Sequence, residues 1–211
     1  MTDRSKFQHQ LSQLRKIILD CVSYFIVWES LDKEYSKYLN PSLEKYVDYF
    51  SPKGSEEDLW WRYRGVFAPT RNALLWSALL QLSKAYDTDP RAVSLINLTA
   101  NARNNPLELA PYATQDSLEV IQGKIAKNQE ILVKLRHYRN KRLAHYDSTE
   151  TESIKIYVHQ VTSLIKETKE IFNSLKYAFQ QESDNFDLIM EDVTLHTSQV
   201  IDTLKKVERH N

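Results

Sequence analysis

The most reactive combination of side chains in the sequence lies in the run Arg139-Asn-Lys-Arg-Leu-Ala-His145. Arginine offers a planar fork of N–H donors that fits phosphate oxygens, and histidine exchanges a proton near neutral pH. Asn140 adds an amide beside the arginine. The same stretch carries the densest positive charge of the chain, at Lys134, Arg136, Arg139, Lys141 and Arg142. Phosphate chemistry is the use that such a set of residues favours.

Arg139 also continues an apolar row. The row steps by three or four residues, as one face of a helix does, through Leu118, Ile121, Ile125, the polar Asn128, Leu132 and Leu135. A cation at the next position destabilises the fold unless it is paired or opens onto a cleft. A structural interpretation competes here, since the helix dipole favours cations near a C-terminal end. Under this interpretation His145 is a helix cap. Asn128 also falls on the row, so Arg139 is not the only polar residue there. The pattern alone leaves both interpretations open.

The composition excludes several classes of protein. Lys plus Arg equals Asp plus Glu at 28 each, so bulk charge predicts no nucleic-acid partner. Cys21 is the only cysteine, which excludes an internal disulfide and a Cys-rich zinc site. Histidines at His137, His159 and His196 lack ligand spacing, so we expect no metal and no other cofactor. There is no Gly-rich phosphate loop, which argues against nucleotide hydrolysis of the P-loop kind.

The apolar stretches also bear on location. No apolar run follows the early basic residues, and the longest apolar stretches are far shorter than a membrane span. We therefore expect a protein without a signal peptide or membrane segment, located in the cytoplasm.

The elements that must position these residues are helices. Three glycines and six prolines are too few for the turns of a strand-rich chain. Helical periodicity extends over about Ser5–Tyr38, Thr70–Tyr86, Pro90–Ala102, Gln115–Ala144, Glu150–Gln181 and Asn185–Val207, with a shorter stretch at Leu43–Phe50 and a loop at 51–58. The sequence predicts an all-α antiparallel bundle of about six to seven long helices, within one domain over residues 1–211.

Arg139 to His145 resembles the Arg-x4–6-His signature of the HEPN superfamily, near the end of a long helix and with the preferred polar residue after the arginine. A helix ending in Tyr86-Asp87, with RNKRLAHYD downstream, is similar to the abortive-infection (AbiU-type) branch. The resemblance covers about residues 59–179, with the terminal helices as extensions or bundle members. A looser copy, Arg4 to His9, lacks the Asn or Asp and lies in the first turn of a helix.

The resemblance implies a metal-independent endoribonuclease, with Arg139, Asn140 and His145 as catalytic residues. Such cleavage needs a base for the 2′-hydroxyl, an acid for the leaving 5′-oxygen and positive charge on the phosphate. HEPN proteins supply two histidines by forming a homodimer, and the products carry a 2′,3′-cyclic phosphate. Arg139 and His145 are about 240° apart around an ideal helix, so we expect the helix to end or bend near Leu143.

Neighbouring residues receive weaker assignments. Arg136, Lys141 and Arg142 are candidate RNA contacts, as is Tyr146, although Tyr146 directly follows His145 where some HEPN toxins place a modified tyrosine one residue later. Trp60 and Trp61 lie among arginines, a pattern that favours core packing with arginines at the rim over single-strand binding.

Three functions follow from these assignments. The first is a phage-defence or toxin–antitoxin ribonuclease with RNA as substrate and an antitoxin protein as a possible partner. The second is a non-catalytic HEPN-like module that binds RNA or protein. The third is a structural scaffold, in which the basic run is a solvated helix end.

Overall fold

The computed structural model describes residues 3–36, 64–144 and 155–208, with only the backbone described at 35–36, 64, 141–144 and 207–208. These stretches form eight helices and no extended strand: α1 Asp3–Ser36, α2 Arg64–Ala85, α3 Leu95–Asn104, α4 Pro106–Leu109, α5 Gln115–Lys127, α6 Gln129–Ala144, α7 Val158–Gln180 and α8 Phe186–Glu208. The predicted all-α bundle is confirmed, and the helix count is slightly above the predicted six to seven. None of the described helices is long and apolar enough to cross a membrane.

Helix α1 is the central element of the bundle. It has 34 residues and is therefore about 50 Å long. It packs against α2, α7 and α8. Its predicted apolar seam is buried, as the low exposure of Phe7, Leu11, Leu14, Ile18, Cys21, Phe25 and Trp28 shows. A continuous row of this kind is what holds a long helix in a protein interior.

Helices α1 and α2 run antiparallel. Cys21 in the middle of α1 lies beside Leu82 near the end of α2, and Arg71 in the first half of α2 reaches Asp32 near the end of α1. The Nε atom of Arg71 donates to Oδ1 of Asp32 at 2.8 Å, with side chains only 12% and 6% exposed. Asp32, a carboxylate among the apolar residues that α1 buries, therefore forms a buried ion pair that fixes the two helices in register.

The apolar face predicted for α2 is buried throughout, at Leu75, Ala78, Leu79, Leu82 and Tyr86. The helix begins at Arg64, so Pro69 lies inside it. At the other end, the Tyr86 hydroxyl lies 3.0 Å from Oγ1 of Thr168 in α7. Burial is the main reason that the pKa of Tyr86 is raised. The residues predicted as a short helical stretch and loop, and Trp60 and Trp61, lie outside the described residues.

The helix predicted from Pro90 begins at Leu95 instead. Ser94 caps it, since its Oγ accepts a hydrogen bond from the Asn97 backbone N–H at 3.2 Å. The Asn97 amide Nδ2 in turn donates to the backbone oxygens of Asp89 and Ala92, at 2.6 and 2.9 Å. These bonds hold residues 87–94 as an ordered loop, which is why Pro90 does not start the helix.

The segment predicted as one helix over Gln115–Ala144 is two helices. Asn128 divides it, with φ −89° and ψ 4°. Its Nδ2 donates to the Lys124 backbone oxygen at 2.9 Å and also to Oε2 of Glu167 on α7. Asparagine side chains compete for backbone hydrogen bonds in this way and so interrupt helices.

Helix α7 supplies much of the core, including Val161, Leu164, Ile171, Phe172, Leu175 and Phe179. It begins at Val158, later than predicted, and the Tyr157 N–H donates to Oε1 of Gln160 at 3.1 Å. It ends at Gln180, and the next residue, Gln181, caps it with a left-handed φ of 58°. In the following turn, Asp184 pairs with Arg15 on α1 at 3.1 Å, which ties the turn to α1.

Candidate active site

The candidate site is built on the C-terminal half of α6. Leu132, Leu135 and Tyr138 are buried, and they place this half of the helix against the core. Helix α6 packs against α2 and α5. Arg139 follows Leu135 by four residues and therefore points toward the same side, where the apolar contact surface ends. Its side chain is 27% exposed, so it lies at the edge of the core rather than inside it.

Arg139 forms an ion pair with Asp87, just after the end of α2. Its Nη1 donates to Oδ2 of Asp87 at 2.9 Å, and the Asp87 side chain is 25% exposed. The Arg139 Nε donates to Oδ1 of Asn140 at 3.3 Å. The cation that the sequence placed on an apolar row is therefore both paired and open to solvent.

The Asp87 carboxylate is held from two sides. Oδ1 accepts the Asp89 backbone N–H at 3.0 Å while Oδ2 accepts Arg139. Desolvation raises the pKa of this carboxyl, but the hydrogen bonds from Asp89 and Arg139, together with the Arg139 charge, outweigh it, and the pKa lies below its ordinary value. Asp87 is therefore an anion at neutral pH and a weak proton acceptor.

The guanidinium keeps donors for a ligand. Arginine has five N–H groups, of which Asn140 and Asp87 engage one each. Among the described residues nothing else bonds to Arg139. The free donors lie on Nη1 and Nη2, a planar arrangement that suits two oxygens of a phosphate.

The other predicted residues are distributed as follows. Arg136 is half-buried on α6 and Asn140 is exposed. Only the backbone is described at Lys141 and Arg142, which lie on the last turn of α6. His145 and Tyr146 lie outside the described residues. Helix α6 is described through Ala144, one residue past Leu143, and the residues that follow lie outside the described ones, so the end or bend expected near Leu143 stays a prediction.

Asp87 is a site residue that the sequence analysis did not assign. The only signal was its place at the end of α2 after Tyr86, since 52 residues separate it from Arg139. The second copy of the motif differs in its surroundings. Arg4 lies over the Phe179 ring at 5.4 Å, at the start of α1, and His9 is exposed.

No group of three or more His, Cys, Asp or Glu side chains suited to a metal ion occurs in the described part of the chain. Cys21 is buried, and burial is the main reason that its thiol pKa is raised to about 12. This thiol is therefore neither a metal ligand nor a nucleophile near neutral pH.

Comparison with known protein families identifies a relationship over most of the chain. The family model HEPN_AbiU2, described as AbiU2, matches residues 4–199. This range extends beyond the 59–179 expected from the motif, and it includes α1 and most of α8. No curated protein and no solved structure matches the chain.

Proposed function

The chain belongs to the AbiU2 family, a group of HEPN proteins associated with abortive infection, and on this premise we propose that it is a metal-independent endoribonuclease of phage defence. Arg139, Asn140 and His145 are its catalytic residues. The observation that supports this proposal best is the state of Arg139, which is oriented by Asp87 and, among the described residues, keeps unused donors at a solvent-open edge.

Arg139 has the phosphate-binding role. Its free N–H groups contact the non-bridging oxygens, where negative charge increases during in-line attack by the 2′-hydroxyl. A donor set that is already oriented needs no reorganisation as the reaction proceeds. Asp87 and Asn140 provide that orientation through the bonds to Nη1 and Nε.

Proton transfer is assigned to His145. A general base works best when its pKa lies near the operating pH, which is true of an ordinary histidine. Asp87 is unsuited to this task because its pKa is lowered by its hydrogen bonds and by Arg139. Asp87 is thus a positioning residue, and His145 exchanges protons with the substrate.

One histidine does not serve both faces of an in-line displacement. The proposal therefore includes a homodimer, in which His145 of one subunit acts as the base and His145 of the other as the acid. The products are an RNA with a 2′,3′-cyclic phosphate and an RNA with a free 5′-hydroxyl. Arg136, Lys141, Arg142 and Tyr146 contact the RNA, and an antitoxin protein is a possible further partner.

The test is RNA cleavage by purified protein in the presence of a metal chelator. We expect Arg139→Ala and His145→Ala each to lower the rate at least about 100-fold, the usual effect of losing an acid–base or charge-stabilising group. The matched controls, which we expect to retain activity, are two variants. His137→Ala changes an exposed histidine on the same helix as Arg139, and Arg15→Ala removes the ion pair with Asp184.

Two results would contradict the proposal. One is full cleavage by the folded Arg139 and His145 variants. The other is a wild-type protein that cuts no RNA yet inhibits cell growth whether or not these residues are present. Circular dichroism establishes that each variant is folded.

The second candidate is a non-catalytic HEPN-like module that binds RNA or protein. The observation in its favour is that Asp87 neutralises Arg139, as in an ion pair that only joins two helices. Under this alternative, RNA or partner binding persists in the His145→Ala protein, and no chelator-resistant cleavage is found in the wild type.

A further inference from the structure

A groove of about 490 Å³ adjoins the Arg139–Asp87 pair, between α1, α2 and the loop that follows α2. Asp87 belongs to both features, because it lines the groove and bonds to Arg139. The groove's volume lies within the range of about 300–1,000 Å³ that is typical of small-ligand sites. We propose that this groove binds a ribonucleotide of the RNA that flanks the cleavage site.

One wall of the groove is a single face of α1. Gln13, Lys16, Ile17 and Asp20 line it, at spacings of three, four and seven residues from the first. Residues at these spacings lie on the same side of a helix. The wall therefore presents a cation, an amide and a carboxylate around the half-buried Ile17.

The opposite wall comes from the end of α2 and the loop behind it. Gln81 and Lys84 lie one turn apart on α2, and Ala92 and Val93 complete the apolar surface. Val93, like Ile17, packs on the core, so this surface is rigidly supported. The groove thus combines an apolar floor for a base with polar groups at its edges.

The polar side chains of the groove are not used inside the protein. Among the described residues, Gln13, Lys16, Asp20, Gln81 and Lys84 make no side-chain hydrogen bond or ion pair. Several lysines on other helices are paired, as the bonds of Lys124 with Glu170 and of Lys176 with Asp184 show. The donors and acceptors of the groove therefore remain available to a ligand.

The chemistry of these groups fits a nucleotide. Lys16 and Lys84, with Arg139 at the adjoining edge, suit phosphates of one RNA strand. The Asp87 carboxylate, which would repel a phosphate, is already paired with Arg139. Asp20 and the two glutamines suit a base edge, since a carboxylate accepts from an exocyclic amino group and an amide both donates and accepts. A hydrophobic protein segment makes no use of these groups.

This inference rests on the proposed function, and its test separates the two. Binding of a fluorescent single-stranded RNA decamer is measured by anisotropy in the His145→Ala protein, which leaves the RNA intact. We expect the double variant Lys16→Ala/Lys84→Ala to bind at least about tenfold more weakly. Its salt dependence should also be shallower by about 1.4 in the log–log slope, the value for two lost contacts to single-strand phosphates.

The matched control is the double variant Lys166→Ala/Lys206→Ala, which removes two exposed lysines on α7 and α8. It should bind RNA as the parent protein does. With an otherwise wild-type active site, the groove variant should raise KM and leave kcat unchanged, because it affects binding away from the reacting atoms.

The outcomes differ for the two proposals. RNA binding that depends on Lys16 and Lys84, without cleavage by the wild type, supports the groove and overturns the ribonuclease. Cleavage with RNA binding equal in both double variants overturns the groove and leaves the ribonuclease. If the Lys16→Ala/Lys84→Ala variant binds RNA normally but sediments differently from the parent protein, the groove is a protein interface, and the inference is overturned.

Discussion

At the scale of single residues, the geometry of Arg139 depends on Asp87. A guanidinium on a long side chain samples many positions, and each bond that fixes it lowers the entropy that is lost when phosphate binds. Here the carboxylate that holds the cation is itself fixed by the Asp89 N–H. The loop after α2 therefore sets the position of a proposed catalytic group on α6.

Asp87→Asn tests the energetic contribution of this pair. Both side chains are about a quarter exposed, so we expect the free energy of unfolding at pH 7 to fall by about 1 kcal/mol. The folded-state pKa of Asp87 is lowered. Its stabilising effect is therefore complete above the unfolded pKa of about 3.9 and is lost as the pH falls through the folded value. Urea unfolding of both proteins at pH 7 and pH 3 measures the difference.

Asp89→Asn is the matched control, because Asp89 forms an exposed ion pair with Arg91 and lies two residues away. We expect a smaller loss of stability from it. A gap between wild type and Asp87→Asn that is equally large at pH 3 and pH 7 would show that the carboxylate charge is not its source.

The sequence gives the cation but not its partner. Arg139 stands out because it continues an apolar row, which requires a counter-charge or a cleft. Asp87 shows no such pattern in the sequence. It lies among turn-forming residues, where an aspartate is expected at a helix end whether or not it has a distant partner. Long-range pairing depends on how α2 and α6 pack, and periodicity within one helix carries no information about that.

At the scale of elements, the start of α6 is set by Asn128. The apolar row from Leu118 to Leu135 passes through it, so periodicity alone predicts one helix. Rows of apolar residues report which face is buried, and both helices do bury that face. The apolar rows do not indicate where a side chain interrupts the backbone hydrogen bonds of a helix. At Asn128 that interruption depends on Glu167, which lies on another helix.

Removing the Asn128 side chain should loosen this junction. We expect Asn128→Ala to lower the free energy of unfolding by about 1–2 kcal/mol, because it removes bonds to the Lys124 carbonyl and to Glu167. Urea denaturation is the measurement, and a double-mutant cycle with Glu167→Ala should give a coupling of at least about 0.5 kcal/mol.

Gln129→Ala, at the exposed neighbouring position, is the control and should change stability by less than about 0.5 kcal/mol. If Asn128→Ala changed stability as little as this control, the side-chain bonds of Asn128 would not account for the division between α5 and α6.

At the scale of the whole molecule, the buried seams explain why the all-α class follows from sequence. The rows on α1, α2 and α7 are independent of one another, and each is buried in the structure. Helix boundaries were less predictable, as Leu95 and Val158 show, because caps such as Ser94 act through hydrogen bonds that compete with other local turns.

The homodimer belongs to this scale and makes a prediction of its own. If each cleft needs His145 from two subunits, specific RNase activity should fall on dilution in parallel with the dimer fraction measured by sedimentation. Added His145→Ala protein should inhibit the wild type, because it draws active subunits into mixed dimers.

The control for this mixing experiment is a protein of the same size that does not assemble with the chain, which should leave the rate unchanged. Specific activity that stays constant across the monomer–dimer transition would exclude the shared cleft.

The end of α7 has a consequence for thermal tolerance. Gln181 has a φ of 58°, a conformation that costs a residue with a Cβ about 1–2 kcal/mol and costs glycine almost nothing. Gln181→Gly should raise the melting temperature by about 2–4 °C in calorimetry, whereas Gln180→Gly, within the helix, should lower it. No rise would mean that the left-handed residue is not strained. The more heat-resistant chain is then a suitable background in which destabilised variants of Asp87 and Asn128 stay folded during assay.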